Sequence, residues 1–226
     1  MEVGFIAPTS MLEECCITDI QYCLPQLLIE QEDYRKFYTD NTKDGSLTIL
    51  DTRKLGWKRE PEDISIIKTI LNLWKPKFKG ITILPSFMYD WKKTIKVTRE
   101  FISEIKVGRV AGCLEGTSVE EVQKCIEGLK SIGIKVFAIP SHIYRFYKGE
   151  DLKGLTIFIE NHLNIEELED KEGILVTSLP IRLGLEGRLL SDYLPSPEGL
   201  TFGEEPKFED IIKRNINRTL EFYRRR

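Results

Sequence analysis

The 226 residues carry 31% charged and 41% hydrophobic side chains, ordinary values for a globular chain long enough to bury a substantial core. Lys and Arg number 33 against 36 Asp and Glu, a formal net charge of −3, so there is no global basic signature and any nucleic-acid contact has to be local. No apolar run reaches a membrane span, and the N-terminus has no basic region followed by an apolar one. The five cysteines form no Cys-x-x-Cys pair and the two histidines are too few for a histidine-rich metal site. The expectation is a cytoplasmic protein with free thiols, no metal, no cofactor and no membrane contact.

Residues 3–8 form a short apolar run closed by Pro8, a first strand. Residues 19–37 read as a helix on the spacing of Ile20, Cys23, Leu24, Leu27 and Leu28, with Pro25 a kink or a first-turn residue. Tyr34, Phe37 and Tyr38 give it an aromatic core face. A loop at 39–45 leads to a strand at 47–50 with Asp51 at its C-terminal end, then a loop at 52–61 rich in Arg and Lys. A helix at 63–74 and a strand at 81–84 follow; the strand ends in Pro85-Ser86, with Asp90 four residues on and a helix at 91–105.

The clearest unit comes next. A strand at 110–114 ends in Glu115-Gly116, Ser118-x-x-Glu121 is a capping box, and Val119, Val122, Cys125, Ile126, Leu129 and Ile132 share one helical face. Gly133 closes that helix and Val136–Pro140 is another strand. Residues 144–152 are polar. Strands at 155–159 and Ile174–Thr177 flank a short acidic helix at 165–170, and the Gly/Pro-rich stretch 182–206 reads as irregular, with one turn at 189–193. Phe208–Arg224 is a closing helix, and Arg224, Arg225 and Arg226 are a solvated basic end.

Strands alternating with helices imply a parallel sheet covered on both faces. Seven strand candidates favour an α/β fold of the (β/α) TIM-barrel type over an open sheet, as one domain spanning 1–226, irregular in its last third. An eighth strand lies within 199–204 or is missing. In such a barrel, polar residues at the C-terminal strand ends face the site. They are Asp51, Ser86 with Asp90, Glu115, Ser141 with His142, Asn161 with His162, and Thr177 with Ser178. Asp51 and Glu115 stand out, because a carboxylate ending an apolar strand is costly unless paired or used. Taken singly, each could equally cap a helix or accept loop amides, and His142 alone reads as structural.

With these ends laid out, the chain resembles the tRNA-guanine transglycosylase superfamily, above all its compact phage-type members acting on DNA, which lack the zinc-binding subdomain. Leu50-Asp51-Thr-Arg-Lys-Leu-Gly56, Leu84-Pro85-Ser86, Cys113-Leu-Glu-Gly116, Val136-Phe-Ala-Ile-Pro140, Ile174-Leu-Val-Thr-Ser-Leu-Pro-Ile-Arg182, and Arg214-Asn-Ile-Asn with Leu220-Glu-Phe222 follow the order of the family's motifs. The resemblance also shows departures. Val176 stands at the family's nucleophilic aspartate, Ser86 at the acid that reads the purine, Glu115 at the glutamine that reads the base carbonyl, and Arg53 and Lys54 at glycines; Asp51, Gly116, Pro180 and Arg182 match.

The resemblance implies a base or nucleoside held between Asp51 and Glu115, with these two as catalytic nucleophile or general base in glycosidic-bond exchange. It further implies substrate contacts from Ser86, Asp90, Gly116, Ile139, His142, Ser178 and Arg182. Carboxylates in place of an amide favour donor-rich edges. Arg182 would approach phosphate, with Arg53, Lys54, Lys58, Arg59 and Arg188 as a basic rim. The implied partner is nucleic acid, DNA ahead of RNA, or a nucleotide, for a virus-encoded protein that could pair with itself or with a paralogue. Two other readings stand beside it: a non-catalytic partner of an active paralogue, and a small-molecule lyase or hydrolase on the same barrel.

Overall fold

The structure is a computed structural model that describes residues 1–40, 46–52, 65, 69, 80–104, 109–147, 152, 154–160, 172–185 and 208–224. Its centre is a closed parallel barrel of eight strands in sequence order: β1 (Glu2–Phe5), β2 (Ile20–Cys23), β3 (Leu47–Asp51), β4 (Gly80–Ile83), β5 (Arg109–Cys113), β6 (Val136–Pro140), β7 (Thr156–Glu160) and β8 (Ile174–Thr177). Closure runs through β1, where Gly4 pairs with Ile20 on one side and Val176 on the other. The outer elements are a 3₁₀ turn at Thr9–Met11, α1 (Leu12–Cys15), α2 (Pro25–Glu30), α3 (Glu32–Asp40), α4 (Trp91–Glu104), α5 (Val119–Ser131), a 3₁₀ helix at Ser141–Phe146, α6 (Leu179–Leu185) and α7 (Phe208–Arg224).

Side-chain alternation sorts the strands into two cores. Ile20, Tyr22, Leu24, Ile49, Ile81, Ile83, Ile157, Ile159, Ile174 and Val176 fill the barrel, with Ala111, Cys113 and Ala138 supplying the small positions. Gly4 belongs to that packing too: a Cβ there would lie 2.6 Å from Ile20 Cγ2. The opposite faces, including Phe5, Leu50, Leu84, Leu114, Phe137, Ile139, Phe158 and Leu175, pack outward beneath the helices.

β2 corrects the helix expected at 19–37. Ile20 and Tyr22 point into the barrel while Gln21 ties the preceding turn, donating to Cys16 O at 3.2 Å and Thr18 O at 2.7 Å. A residue before proline is driven to extended backbone, and Leu24 obeys (φ −107°, ψ 120°), so the helix begins only at Pro25. It breaks again at Gln31 (φ −126°) before α3. The strand missing from the sequence reading is therefore β2; residues 199–204 lie outside the described residues, as do most of 63–74 and all of 165–170 and 189–193. Residues 179–185, the first of them short of the expected irregular stretch, form α6. Among the described residues no helix is long and apolar enough to cross a membrane.

Candidate active site

The inward parity of β3 and β5, carried one step past the barrel core, lands on Asp51 and Glu115. Both are buried, at 3% and 1% exposure. β4 lies between their strands, so their backbones stand about 10 Å apart, two inter-strand spacings. Each carboxylate has its own surroundings. Asp51 Oδ2 accepts the hydroxyl of Tyr22, which reaches up from the barrel interior on the neighbouring strand. The turn after it is closed by Thr52, whose N–H and Oγ1 both donate to Ile83 O, at 3.2 and 2.7 Å.

Glu115 sits in a cradle drawn from three consecutive strand ends. Ser86 Oγ, just past β4, donates to Oε1 at 2.9 Å. The backbone N–H of Tyr89 donates to Oε2 at 2.9 Å. His142 Nε2, on the 3₁₀ helix after β6, lies 2.9 Å from the same Oε2. The thiol of Cys113 approaches Oε1 at 3.8 Å from below. A carboxylate this buried needs such donors to offset the loss of water. An ionised Glu115 requires a proton on Nε2, which leaves the lone pair of neutral His142 on Nδ1. The ring remains 21% exposed, and it meets the ring of Tyr89 edge-on at 5.1 Å and 74°.

The loop that carries Ser86 and Tyr89 is pinned elsewhere. Phe87 N accepts no slack: it donates to the buried Thr94 Oγ1 at 2.9 Å, and Asp90 N closes a turn onto Phe87 O at 2.9 Å. Asp90 caps α4, accepting Lys93 N at 3.0 Å. Past Glu115, Gly116 (φ +157°) lets the chain press against α5, where a Cβ would lie 3.0 Å from both Glu121 Cβ and Val122 N. The cap half of the box forms as read, Ser118 Oγ accepting Glu121 N at 3.2 Å, while Glu121 Oε2 reaches one residue further back and accepts Thr117 N and Oγ1 at 2.8 and 2.6 Å. Those Thr117 bonds hold the Glu121 carboxyl below the usual carboxylate range.

Of the residues singled out from sequence, Glu115, Ser86 and His142 are brought together, and Asp51 lies across β4 from them. Asp90 and Gly116 shape the turns beside them. Ile139 faces the helices, because alternation on β6 gives the interior to Val136 and Ala138. Ser178 follows β8, and Arg182 is exposed on α6, its N–H bonded to Ser178 O at 3.0 Å. Asn161, His162, Arg53, Lys54, Lys58, Arg59 and Arg188 lie outside the described residues. Tyr22 and Tyr89 were not singled out. Tyr22 was hidden in the misread helix, where the extended Ile20–Cys23 run ahead of Pro25 was its signal; a backbone donor such as Tyr89 N leaves no trace in sequence. Among the described residues no group of three His, Cys, Asp or Glu side chains is placed to hold a metal ion. Two surface clefts, about 400 and 290 Å³, lie elsewhere and border neither Glu115 nor His142.

No protein-family model matches the chain, and no curated protein does. Solved structures do. An orotidine 5'-phosphate decarboxylase from Thermotoga maritima superimposes with a TM-score of 0.50 at 16% identity, over 78% of this chain and 88% of its own. An N-acetylneuraminate lyase from Mycoplasma synoviae gives 0.51 at 12% identity, over 98% and 97%. The YdjI aldolase from Escherichia coli K12 gives 0.56 at 11% identity, over 98% and 90%. These findings overturn the transglycosylase resemblance, and with it base exchange on nucleic acid; they lend no support to DNA modification or a viral association. The physical reason is visible in the motifs that carried it. Proline closing a strand, glycine after it and β-branched runs are what any β/α barrel needs, and Val176 packs the barrel interior with Ile159 and Ile174. The likeness establishes the fold: this chain is an α/β protein with a closed eight-stranded TIM barrel.

Proposed function

We propose that this chain is a barrel enzyme of lyase or mutase type, moving a proton on a small polar molecule with His142 as the base and Glu115 as its orienter. The observation that carries this reading is the Glu115–His142 pair at the C-terminal strand ends, where β/α barrels keep their chemistry. Glu115 has both oxygens engaged by Ser86, Tyr89 and His142, so it serves best by fixing the imidazole tautomer and steadying the imidazolium that forms. His142 Nδ1 takes a proton from a carbon beside a carbonyl, or from the hydroxyl whose loss of a proton breaks the adjacent carbon–carbon bond. The imidazolium then returns that proton to the product. Ser86 is a poor nucleophile in this arrangement, since its hydroxyl donates to Glu115 and, among the described residues, no imidazole accepts from it. The decarboxylase, lyase and aldolase named above belong to other proteins; they show that one fold houses such reactions, and the assignment rests on the dyad.

The test is proton exchange in D₂O across a panel of small hydroxy acids, oxo acids and sugars, followed by ¹H NMR. His142→Gln should slow exchange of a responsive compound by about 10²- to 10⁴-fold, the usual worth of a positioned base. Equal rates in the two proteins would remove His142 from the chemistry.

A further inference from the structure

Tyr89 breaks a local rule. It is the described non-glycine residue with positive φ, at +65°. It occupies the third position of the turn closed by Asp90 N onto Phe87 O, the place where positive φ calls for Gly or Asn. A bulky aromatic residue there is an outlier that the surroundings must hold in place. The hydrogen bond it makes does not explain the choice, because its backbone N–H reaches Glu115 Oε2 and glycine would supply the same donor without strain. Core packing does not explain it either, since the residue is 38% exposed. What the tyrosine adds over glycine is a ring, and that ring stands edge-on to His142 at 5.1 Å.

We propose that Tyr89 is a positioning residue for the Glu115–His142 pair, an inference that rests on the base role given to His142 above. One residue then acts on both partners. Its N–H fixes the oxygen that receives His142 Nε2, so the carboxylate cannot turn away, and its ring walls one side of the imidazole, so Nδ1 is presented in a single orientation. The backbone strain is the cost of placing that wall from a turn anchored by Thr94 and Asp90. Ordering a base in this way acts on the reacting geometry, where small misplacements are amplified in rate.

The experiment compares Tyr89→Gly, Tyr89→Asn and Tyr89→Phe in the full chain with wild type. The readouts are the thermal midpoint, the order of the His142 ring by NMR relaxation of its C–H groups, and exchange of the responsive compound. With two histidines in the chain, His142→Gln assigns the signals. Tyr89→Gly and Tyr89→Asn relieve the strain and should keep or raise the midpoint. Glu115 should still hold the proton on Nε2, but the His142 ring should lose its single orientation, and kcat should fall about ten- to a hundredfold with little change in KM. Tyr89→Phe should match wild type. Unchanged order of the His142 ring in both ring-less variants overturns the proposal, as does loss of folding, which would assign the ring to structure. A loosened His142 ring with unchanged exchange supports positioning while sinking the base role itself, so the two readings fail separately.

Discussion

Two carboxylates end two nearly adjacent strands of this barrel, and their surroundings differ in kind. Asp51 is bound from below by Tyr22, a side chain of the barrel interior, on the neighbouring strand. Glu115 is bound from the side and above by groups on loops following β4 and β6, one of them an imidazole that reaches solvent. The first arrangement extends the core upward by one polar layer. The second aims a buried charge at the mouth. A carboxylate at a strand end is therefore informative only together with what donates to it.

The sharpest break in this comparison is Glu115→Gln. The amide keeps an acceptor for His142 but loses the charge that favours the imidazolium, so the His142-dependent rate should fall by about 10³- to 10⁴-fold. Far-UV circular dichroism should stay unchanged, and a rate within threefold of wild type would equate Glu115 with an ordinary buried acceptor. On the other side, Tyr22→Phe removes a donor from a buried carboxylate. It should cost about 1–3 kcal/mol in urea unfolding while sparing the His142-dependent rate. A large rate loss without destabilisation would move the chemistry to Asp51. Ser118→Ala, which uncaps α5 just beyond Glu115, should cost about 1 kcal/mol and leave both carboxylates in place.

The smallest effect concerns the thiols of Cys15, Cys16 and Cys125, which belong to the helix-facing core and serve as a control for both regions. Burial pushes Cys15 up to about 12, Cys16 to about 11 and Cys125 to about 12, from an ordinary value of 9.0. An acid whose folded pKa is raised binds more protons folded than unfolded once the pH passes the unfolded value. The stability it contributes is thus complete below pH 9 and lost as the pH rises from there through 11 and 12. Urea midpoints should decline over that window, and iodoacetamide at pH 8 should modify the native thiols far more slowly than the unfolded ones. Rapid native labelling would contradict their burial.

The barrel was legible where an apolar run ended cleanly at a polar residue, as at Asp51, Glu115 and Ser141. It was illegible at β2, because Ile20, Cys23, Leu24, Leu27 and Leu28 mimic a helical period across a strand, a proline and a helix start. The tendency of a residue preceding proline to stay extended was the available correction. The candidate site divided along the same line. Glu115 stood out because burying a charge is costly, whereas its bond to His142 spans 27 residues and exists only once β5 and β6 lie side by side. The family resemblance went astray for a related reason: its residues were those the barrel itself demands.

The cradle around Glu115 has a consequence for motion. Its donors sit on two separate segments, after β4 and after β6, so neither can open without leaving a buried carboxylate short of partners. The amide proton of Tyr89, on an otherwise exposed turn, is thereby denied to water except when the assembly loosens. Its hydrogen-exchange rate counts those openings, a clock for the site that needs no substrate to be read.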